Sequence, residues 1–472
     1  MSDYDLVVLG AGATGLGAAR TAREAGRRVA LVEAGRPGGD CTHYGCIPSK
    51  SLLESARRVQ AARSGPRYGF RAEPEVDFAA VMDRVHAVVD EIERDESPEL
   101  LAAQGIDLVQ GWGTFTGPHS IEVDGRTITS ERFVVASGST ATVPPVEGLR
   151  ESPYLDNRSV FDLRALPSHL LVLGGGPIGV ELSQAFRRLG AEVTVVEGAP
   201  RLLGREEPEA SDVVTRVLER EGVRVRTGVS VVRVGAGPTL HLDDGSTIAG
   251  SHLLVAVGRT PSTRGFGLET TGAGLTDDGH VRTDRTLRAA PTVWAAGDCT
   301  TRLKFTHVGY EQGRLAARNA FRPRLAGERF KDRVVPWVTF TEPEVAHVGL
   351  TEQQAVARYG DRVRVSVVHD TASDRARTVG ETDGFAKLVA VNSRVGGALT
   401  SRLVGMTVVG PVAGEQIGTG ALAMQARVLV ARMGTTIAAY PTYDLSVRLA
   451  AARFFGTYGG ERARRGVTSA GG

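Results

Sequence analysis

Two cysteines stand five residues apart in the stretch GGDCTHYGCIPSK, Gly38 to Lys50, with His43 between them. They are two of only three cysteines in 472 residues. Thiols this close can form a structural disulfide, ligate a metal, or work as a dithiol–disulfide couple that carries two electrons. Lys50, one turn after Cys46, adds a positive charge. It is conspicuous because only four of the 56 basic residues are lysines: Lys50, Lys304, Lys331 and Lys387.

The elements around this stretch have a readable order. The apolar run YDLVVL, 4–9, is of strand length and leads into Gly10-Ala-Gly12-Ala-Thr-Gly15. A helical stretch follows to about Arg27, then a second apolar run from Val29 that ends in Glu33. Strand, glycine-rich turn, helix, strand and acid is the order of a dinucleotide-binding unit. Its glycines make the tight turn, admit a pyrophosphate and let the helix pack on the strand. The helix N-terminus presents free N–H groups to the phosphates, and Glu33 suits ribose hydroxyls. The order recurs in HLLVLGGGPIGVELSQAFRRLGAEVTVVE, with Gly174, Gly176, Gly179 and Glu197. Two such units in one chain predict two nucleotides, a bound flavin and a diffusible nicotinamide. Glu197 suits a free 2′-hydroxyl and repels a 2′-phosphate, so NADH is favoured over NADPH, although Arg201 lies close enough to serve a phosphate.

Composition sets outer limits. A 42% hydrophobic, 23% charged chain has the make-up of a large globular protein. A net charge of +2 gives no reason to expect nucleic acid as a partner. No apolar run approaches the 18 residues of a membrane-spanning helix. An odd cysteine count and an opening that runs straight into YDLVVLGAGATG predict a cytoplasmic protein with neither a signal peptide nor an extracellular disulfide framework.

Taken together, these motifs resemble the FAD-dependent pyridine nucleotide–disulfide oxidoreductases, the family of dihydrolipoamide dehydrogenase, glutathione reductase and mercuric reductase. GGDCTHYGCIPSK is similar to that family's redox-active cysteine helix. FVVASGST, 133–140, with Gly138, resembles the close of the first flavin-binding part. LLVAVGRTPST, 253–263, with Gly258, resembles the end of the nicotinamide domain, and TVWAAGDCT, 292–300, with Asp298, the second flavin signature. VPWVTFTEPEVAHVGLTE, 335–352, resembles the start of the dimerisation domain. The resemblance implies an α/β fold with two Rossmann-like nucleotide-binding domains, for FAD and for NAD(P), and a C-terminal α/β dimerisation domain. It implies a split flavin domain, 1–146 and 272–336, an inserted nicotinamide domain, 147–271, and an interface domain, 337–472. It also implies a homodimer. Within the last segment, GTGALAMQARVLVARM, 418–433, reads as one helix with an apolar face.

The cysteine pair is read on this basis. A disulfide closing so small a loop gives little chain-entropy stabilisation. A zinc site needs a second ligand pair at proper spacing, and none is visible, so no metal site is expected. A redox pair is what remains. By resemblance, Cys46 faces the flavin as a charge-transfer thiolate and Cys41 exchanges with substrate. Lys50 would pair with Glu181 from GVELS, and Asp298 would hold the ribityl and pyrophosphate region. Their position at a helix N-terminus predicts lowered thiol pKa values.

The pattern departs from the disulfide reductases near the C-terminus, in AAYPTYDLSVRLAAARFF. Tyr440 stands where the family's catalytic histidine is expected and Leu445 where its glutamate is, with Asp444 one position off. A tyrosine is a poor base at neutral pH. Mercuric reductase has a tyrosine there too, but it also carries a C-terminal cysteine pair, whereas this sequence ends RGVTSAGG. His43 is a further candidate as a local base or a soft-metal contact, with packing against the loop the simpler reading. Cys299 is expected to fill a small apolar site, and His307 to pack near the flavin edge. Arg375 and Arg377 read as surface residues. The expected activity is transfer of electrons from nicotinamide through flavin to Cys41–Cys46 and on to a disulfide, a thiol-bound metal or a small electrophile. The rival readings are a diaphorase-like flavin reductase that bypasses the cysteines and a slow redox sensor.

Overall fold

The computed structural model describes residues 2–393 and 400–467. The chain forms two compact units. One comprises Met1–Ser168, Arg188–Gly190 and His252–Lys331, the other His169–Arg187, Ala191–Ser251 and Asp332–Gly472. The fold is mixed α/β with parallel sheets at its nucleotide-binding units, as expected from the motif order.

The first unit is built on a five-stranded parallel sheet. Its order is Val293–Ala295, Phe133–Val135, Leu6–Leu9, Val29–Glu33 and Ile106–Gln110. Leu6–Leu9 is buried throughout, as a central parallel strand covered on both faces must be. On one face, Leu16, Ala18 and Ala19 of the helix Ala13–Glu24 share a core with Leu315 and Ala316 of the helix Thr306–Ala320. Glycine permits this approach, because a Cβ on Gly313 would lie 2.0 Å from the carbonyl oxygen of Thr14. Phe115, Ile121 and Ile128, from a three-stranded antiparallel sheet, share the other core with Phe133. Val293–Ala295, distant in sequence, pairs in register with Phe133–Val135, so the second flavin signature joins the sheet begun at Leu6.

In the second unit, His169–Leu173, Glu192–Glu197 and Arg224–Thr227 run parallel. Beyond them lies a six-stranded antiparallel sheet: Pro336–Thr339, Glu344–Gly349, Arg402–Gly410, Phe385–Val391, Val363–His369 and Arg464–Arg465. The segment 418–433 corrects the expectation of one helix. Ala413–Gln425 and Val430–Thr435 are separate helices. Arg427, at φ 55°, takes the left-handed conformation that ends the first. The break lets Val430 and Met433 enter the same core as Ile417 and Ala423. Apolar spacing cannot reveal a left-handed residue that is not glycine.

Lys387 is the most deeply buried charge in this unit's core. Its Nζ lies 3.0 Å from Glu207, 2.8 Å from Glu209 and 2.9 Å from Glu352. Glu352 also binds Arg464 and accepts the N–H of Val467 at 2.9 Å. Burial alone would raise its pKa, but these partners outweigh it and hold the carboxyl at about 2.

Candidate active site

The helix Gly39–Tyr44 carries Cys41, and Cys46 opens the next helix, Cys46–Arg63, across the sharp turn at Gly45. A Cβ on Gly45 would lie 2.8 Å from the carbonyl oxygen of Asp40, so the turn requires glycine. Both sulfurs meet one hydroxyl: Thr306 Oγ1 donates to Cys41 Sγ at 3.1 Å and lies 3.4 Å from Cys46 Sγ. The expectation that both thiols are acidified is corrected for Cys41. Its hydrogen bond to Cys46, burial and the Cys46 charge push its thiol far up, against a lesser opposing pull from Thr306. Two neighbouring sulfurs cannot both ionise cheaply, so one thiolate keeps the other protonated.

His43 is buried, with Nε2 2.6 Å from the Pro37 carbonyl oxygen. Its Nδ1 has no hydrogen-bond partner among the described residues. Lys50 lies one turn into the helix that Cys46 begins, in the first unit. Glu181 lies in the second unit, buried, and accepts the N–H of Phe340 at 2.8 Å.

The two glycine-rich turns share one construction. Gly10 has φ 100°, and a Cβ on Gly15 would lie 1.7 Å from the carbonyl oxygen of Gly10. In the second turn Gly174 has φ 112°, and a Cβ on Gly179 would lie 2.0 Å from its carbonyl oxygen. The middle glycines differ. A Cβ on Gly12 would meet nothing nearer than 3.9 Å, and one on Gly176 nothing within 4 Å. Gly176 borders open space and Gly12 meets the Gly38–Gly39 backbone only at van der Waals distance, so neither is filled where a pyrophosphate needs bare backbone. Glu33 accepts the N–H of Ala11 at 2.6 Å and of Gly35 at 2.7 Å. Glu197 likewise accepts the N–H of Gly175 at 2.6 Å and of Ala199 at 2.7 Å. No side chain caps the helix Ala13–Glu24 and its first turn holds no acid, which leaves its N-terminal N–H groups to an anion. Arg201 donates to the carbonyl oxygens of Gly204 and Glu206, within its own loop. These cradles fit dinucleotides.

Asp298 accepts Ser139 Oγ–H at 2.6 Å, and Arg259 Nε donates to the same hydroxyl at 2.7 Å. Arg259 also pairs with Asp40, next to Cys41. Gly138, at φ 71°, and Gly258, at φ 132°, both border open space. Cys299 is buried, its thiol pushed up to about 11 by burial, and donates to the Ala296 carbonyl at 3.2 Å. It fills a small site, as its surroundings require. His307 stacks on Phe305, with ring centroids 5.6 Å apart. Tyr440 is exposed and its hydroxyl donates to Asp374 at 3.0 Å. That bond and the carboxylate charge raise its pKa further above the ordinary phenol value. Asp444 begins the helix Asp444–Ala452, and burial raises its pKa. Arg375 and Arg377 are exposed on the short helix Asp374–Val379, Arg375 lying over the Tyr443 ring. No group of three or more His, Cys, Asp or Glu among the described residues could hold a metal ion.

Residues 4–313 match the model of the pyridine nucleotide–disulphide oxidoreductases, and 335–451 match that family's dimerisation domain. The chain belongs to this family. These enzymes are oxidoreductases and flavoproteins. A mercuric reductase of Staphylococcus aureus is 34% identical over 460 residues, covering 96% of this chain and 82% of that protein. A dihydrolipoyl dehydrogenase of Thermus scotoductus is 36% identical over 454 residues, covering 94% and 95%. Among solved structures, LpdA of Mycobacterium tuberculosis superposes with a TM-score of 0.85 at 29% identity, covering 96% of this chain and 99% of that one. The HOCl-induced flavoprotein disulfide reductase RclA of Escherichia coli gives 0.83 at 29%, covering 95% and 99%.

Within this family member, the residue that sequence reasoning missed is Thr306. It sits beside His307 in KFTHVGYEQG, where the histidine drew attention as the titratable group. A threonine carries no signal of its own at such a spot. The Asp40–Arg259–Ser139–Asp298 chain was equally hidden, because its members lie up to 258 positions apart in sequence.

Proposed function

We propose that this chain is an FAD-dependent, NADH-preferring oxidoreductase whose Cys41–Cys46 pair delivers two electrons to a thiophilic acceptor, a thiol-bound soft metal ion before an ordinary disulfide. Gly10, Gly12, Gly15, Glu33, Gly138 and Asp298 would hold the FAD. Gly174, Gly176, Gly179, Glu197 and Gly258 would hold the nicotinamide dinucleotide. Bound FAD would supply the two-electron link between nicotinamide and the cysteine pair. The domains divide as 1–146 with 272–336, 147–271, and 337–472, and the last forms a homodimer. NADH is favoured because Glu197 repels a 2′-phosphate and Arg201 is engaged by its own loop.

The observation that carries the reading is the Thr306 hydroxyl, which lies within hydrogen-bonding distance of both sulfurs and gathers them into one couple. In the reduced pair Cys46 holds the negative charge and Cys41 the proton. Toward a metal bis-thiolate, Cys41 sulfur would bond to the metal, and one thiolate ligand would leave and take the Cys41 proton. The Cys46 thiolate would then close the disulfide on Cys41. The Cys41 sulfur–metal bond would break with its electron pair on the metal, which is thereby reduced by two electrons, and the second thiolate ligand would leave. No further base is needed. A disulfide acceptor requires the attacking thiol to lose its proton and each leaving thiol to gain one, and Tyr440, held as a donor to Asp374, is not a base at neutral pH. The mercuric reductase relatives and the Cu(II) complex named for RclA support the same choice.

Anaerobic titration with NADH, with visible spectra and a count of free thiols, tests the reading. Two new thiols per chain and a long-wavelength band are expected. Flavin bleaching without new thiols would move the activity to direct reduction by flavin. Acceptor screening then compares thiol-bound Hg(II) with lipoamide and glutathione disulfide, with Cys41→Ser as the control.

A further inference from the structure

Lys304 is one of four lysines in a chain that otherwise uses arginine. Its Nζ is closed to solvent and has no hydrogen-bond partner among the described residues. A buried ammonium without an acceptor is strongly disfavoured. Burial pushes its pKa down, while Asp298 and Asp278 draw it back up and Arg259 opposes them. Neither carboxylate offers Lys304 a hydrogen bond. Asp298 takes the Ser139 hydroxyl, and Asp278 takes Arg302, Thr276 and His280. The side chain is therefore built for a partner the protein does not itself supply.

Its position says which part of a ligand that is. Lys304 precedes Phe305, the N-cap of the helix Thr306–Ala320, and Thr306 touches both redox thiols. Its charged neighbours are Asp298, Arg259, Cys299 and Asp278. Lys304 thus stands two positions before the hydroxyl that joins the redox thiols, where electrons are exchanged, and beside Asp298.

We propose that Lys304 is the electrostatic partner of the flavin ring and raises its reduction potential. This rests on the FAD reading above. A ring that takes a hydride from NADH, leaving NAD⁺, gains two electrons and one proton, and so one net negative charge. A fixed cation sealed from water favours that charge far more than an exposed one would. Lys304 is a positioning and tuning residue, and it takes no proton in the step.

The test is the reduction potential of the bound flavin, measured by equilibration with a reference dye, in the parent, Lys304→Met and Lys304→Arg. Lys304→Met is expected to shift the redox equilibrium about tenfold toward the oxidised ring, about 30 mV for a two-electron couple. Lys304→Arg should stay within threefold of the parent. A shift below threefold in Lys304→Met overturns the proposal. So does weaker FAD retention with an unchanged potential, which would make Lys304 a phosphate contact. If Lys304→Met does not hold flavin, Lys304→Gln measured in excess FAD decides by the same threshold. A parent protein that binds no FAD would sink the FAD reading itself, and this inference with it.

Discussion

Thr306 and Cys41 are joined by a 3.1 Å hydrogen bond, although 265 positions separate them in sequence. The hydroxyl favours the ionised sulfur, so its loss should raise the thiol pKa. A hydrogen bond is worth about 0.5–1.5 kcal/mol, or up to about one pH unit. In Thr306→Val, the pH profile of iodoacetamide alkylation of the reduced protein should move to higher pH by up to about that amount. An unmoved profile would remove Thr306 from the thiol chemistry.

Cys41 is held protonated first of all by its hydrogen bond to Cys46. Cys46→Ser should therefore lower the Cys41 pKa, which is the opposite of what losing a cooperative partner would do. Thiolate absorbance at 240 nm, followed against pH in the single-cysteine variants, reads this directly. A higher Cys41 pKa in Cys46→Ser would contradict the arrangement.

Tyr440 donates to Asp374 and cannot serve as a base near neutrality. Tyr440→His would introduce a group titrating near pH 6.5. General base help is worth roughly 10²–10⁴ in rate, so turnover with lipoamide or glutathione disulfide should rise at least about tenfold. Turnover with thiol-bound metals should not rise in parallel. Equal gains for both acceptor classes would remove the basis for preferring metals.

The second unit carries opposed titrations. Burial pushes Glu206 up to about 7, against its bond from Trp337, so its stabilising effect is full below the unfolded value near 4.5 and is lost as pH rises through 7. Burial lowers His347 to about 4, so its contribution is present above 6.5 and is lost as pH falls through 4. Glu206→Gln should therefore melt higher than the parent at pH 8, with the gap closing toward pH 5. A gap that widens on acidification would reverse the assignment.

Lys387 neutralises carboxylates that are buried with it. Removing one partner of a buried pair costs about 3–5 kcal/mol. Lys387→Met should lose about that much in denaturant unfolding, with a matching fall in the midpoint. A loss under about 1 kcal/mol would mean that water reaches Glu207 and Glu352.

Much of this was legible because glycine and acid positions answer to local geometry. Gly10, Gly15, Gly174 and Gly179 are needed by contacts within a few residues, and Glu33 and Glu197 brace turns about twenty residues away. Thr306, Arg259 and Asp374 were not legible. Their meaning comes from chain segments brought together only by the fold; Arg259 stands in the motif LLVAVGRTPST, yet nothing in it points to Asp40 or Ser139. Lys304 was visible only as a rare residue type, without a reason for its rarity. The break at Arg427 escaped because apolar periodicity continues across it.

The braces on the two glycine-rich turns have one more consequence. Each carboxylate already ties its glycine-rich turn to the end of the following strand, through one N–H of the turn and one of the residue two positions past the acid, so the shape of the dish does not depend on what is served in it. A protein stripped of nucleotide should keep both turns formed and reload by simple encounter, without first rebuilding the loop.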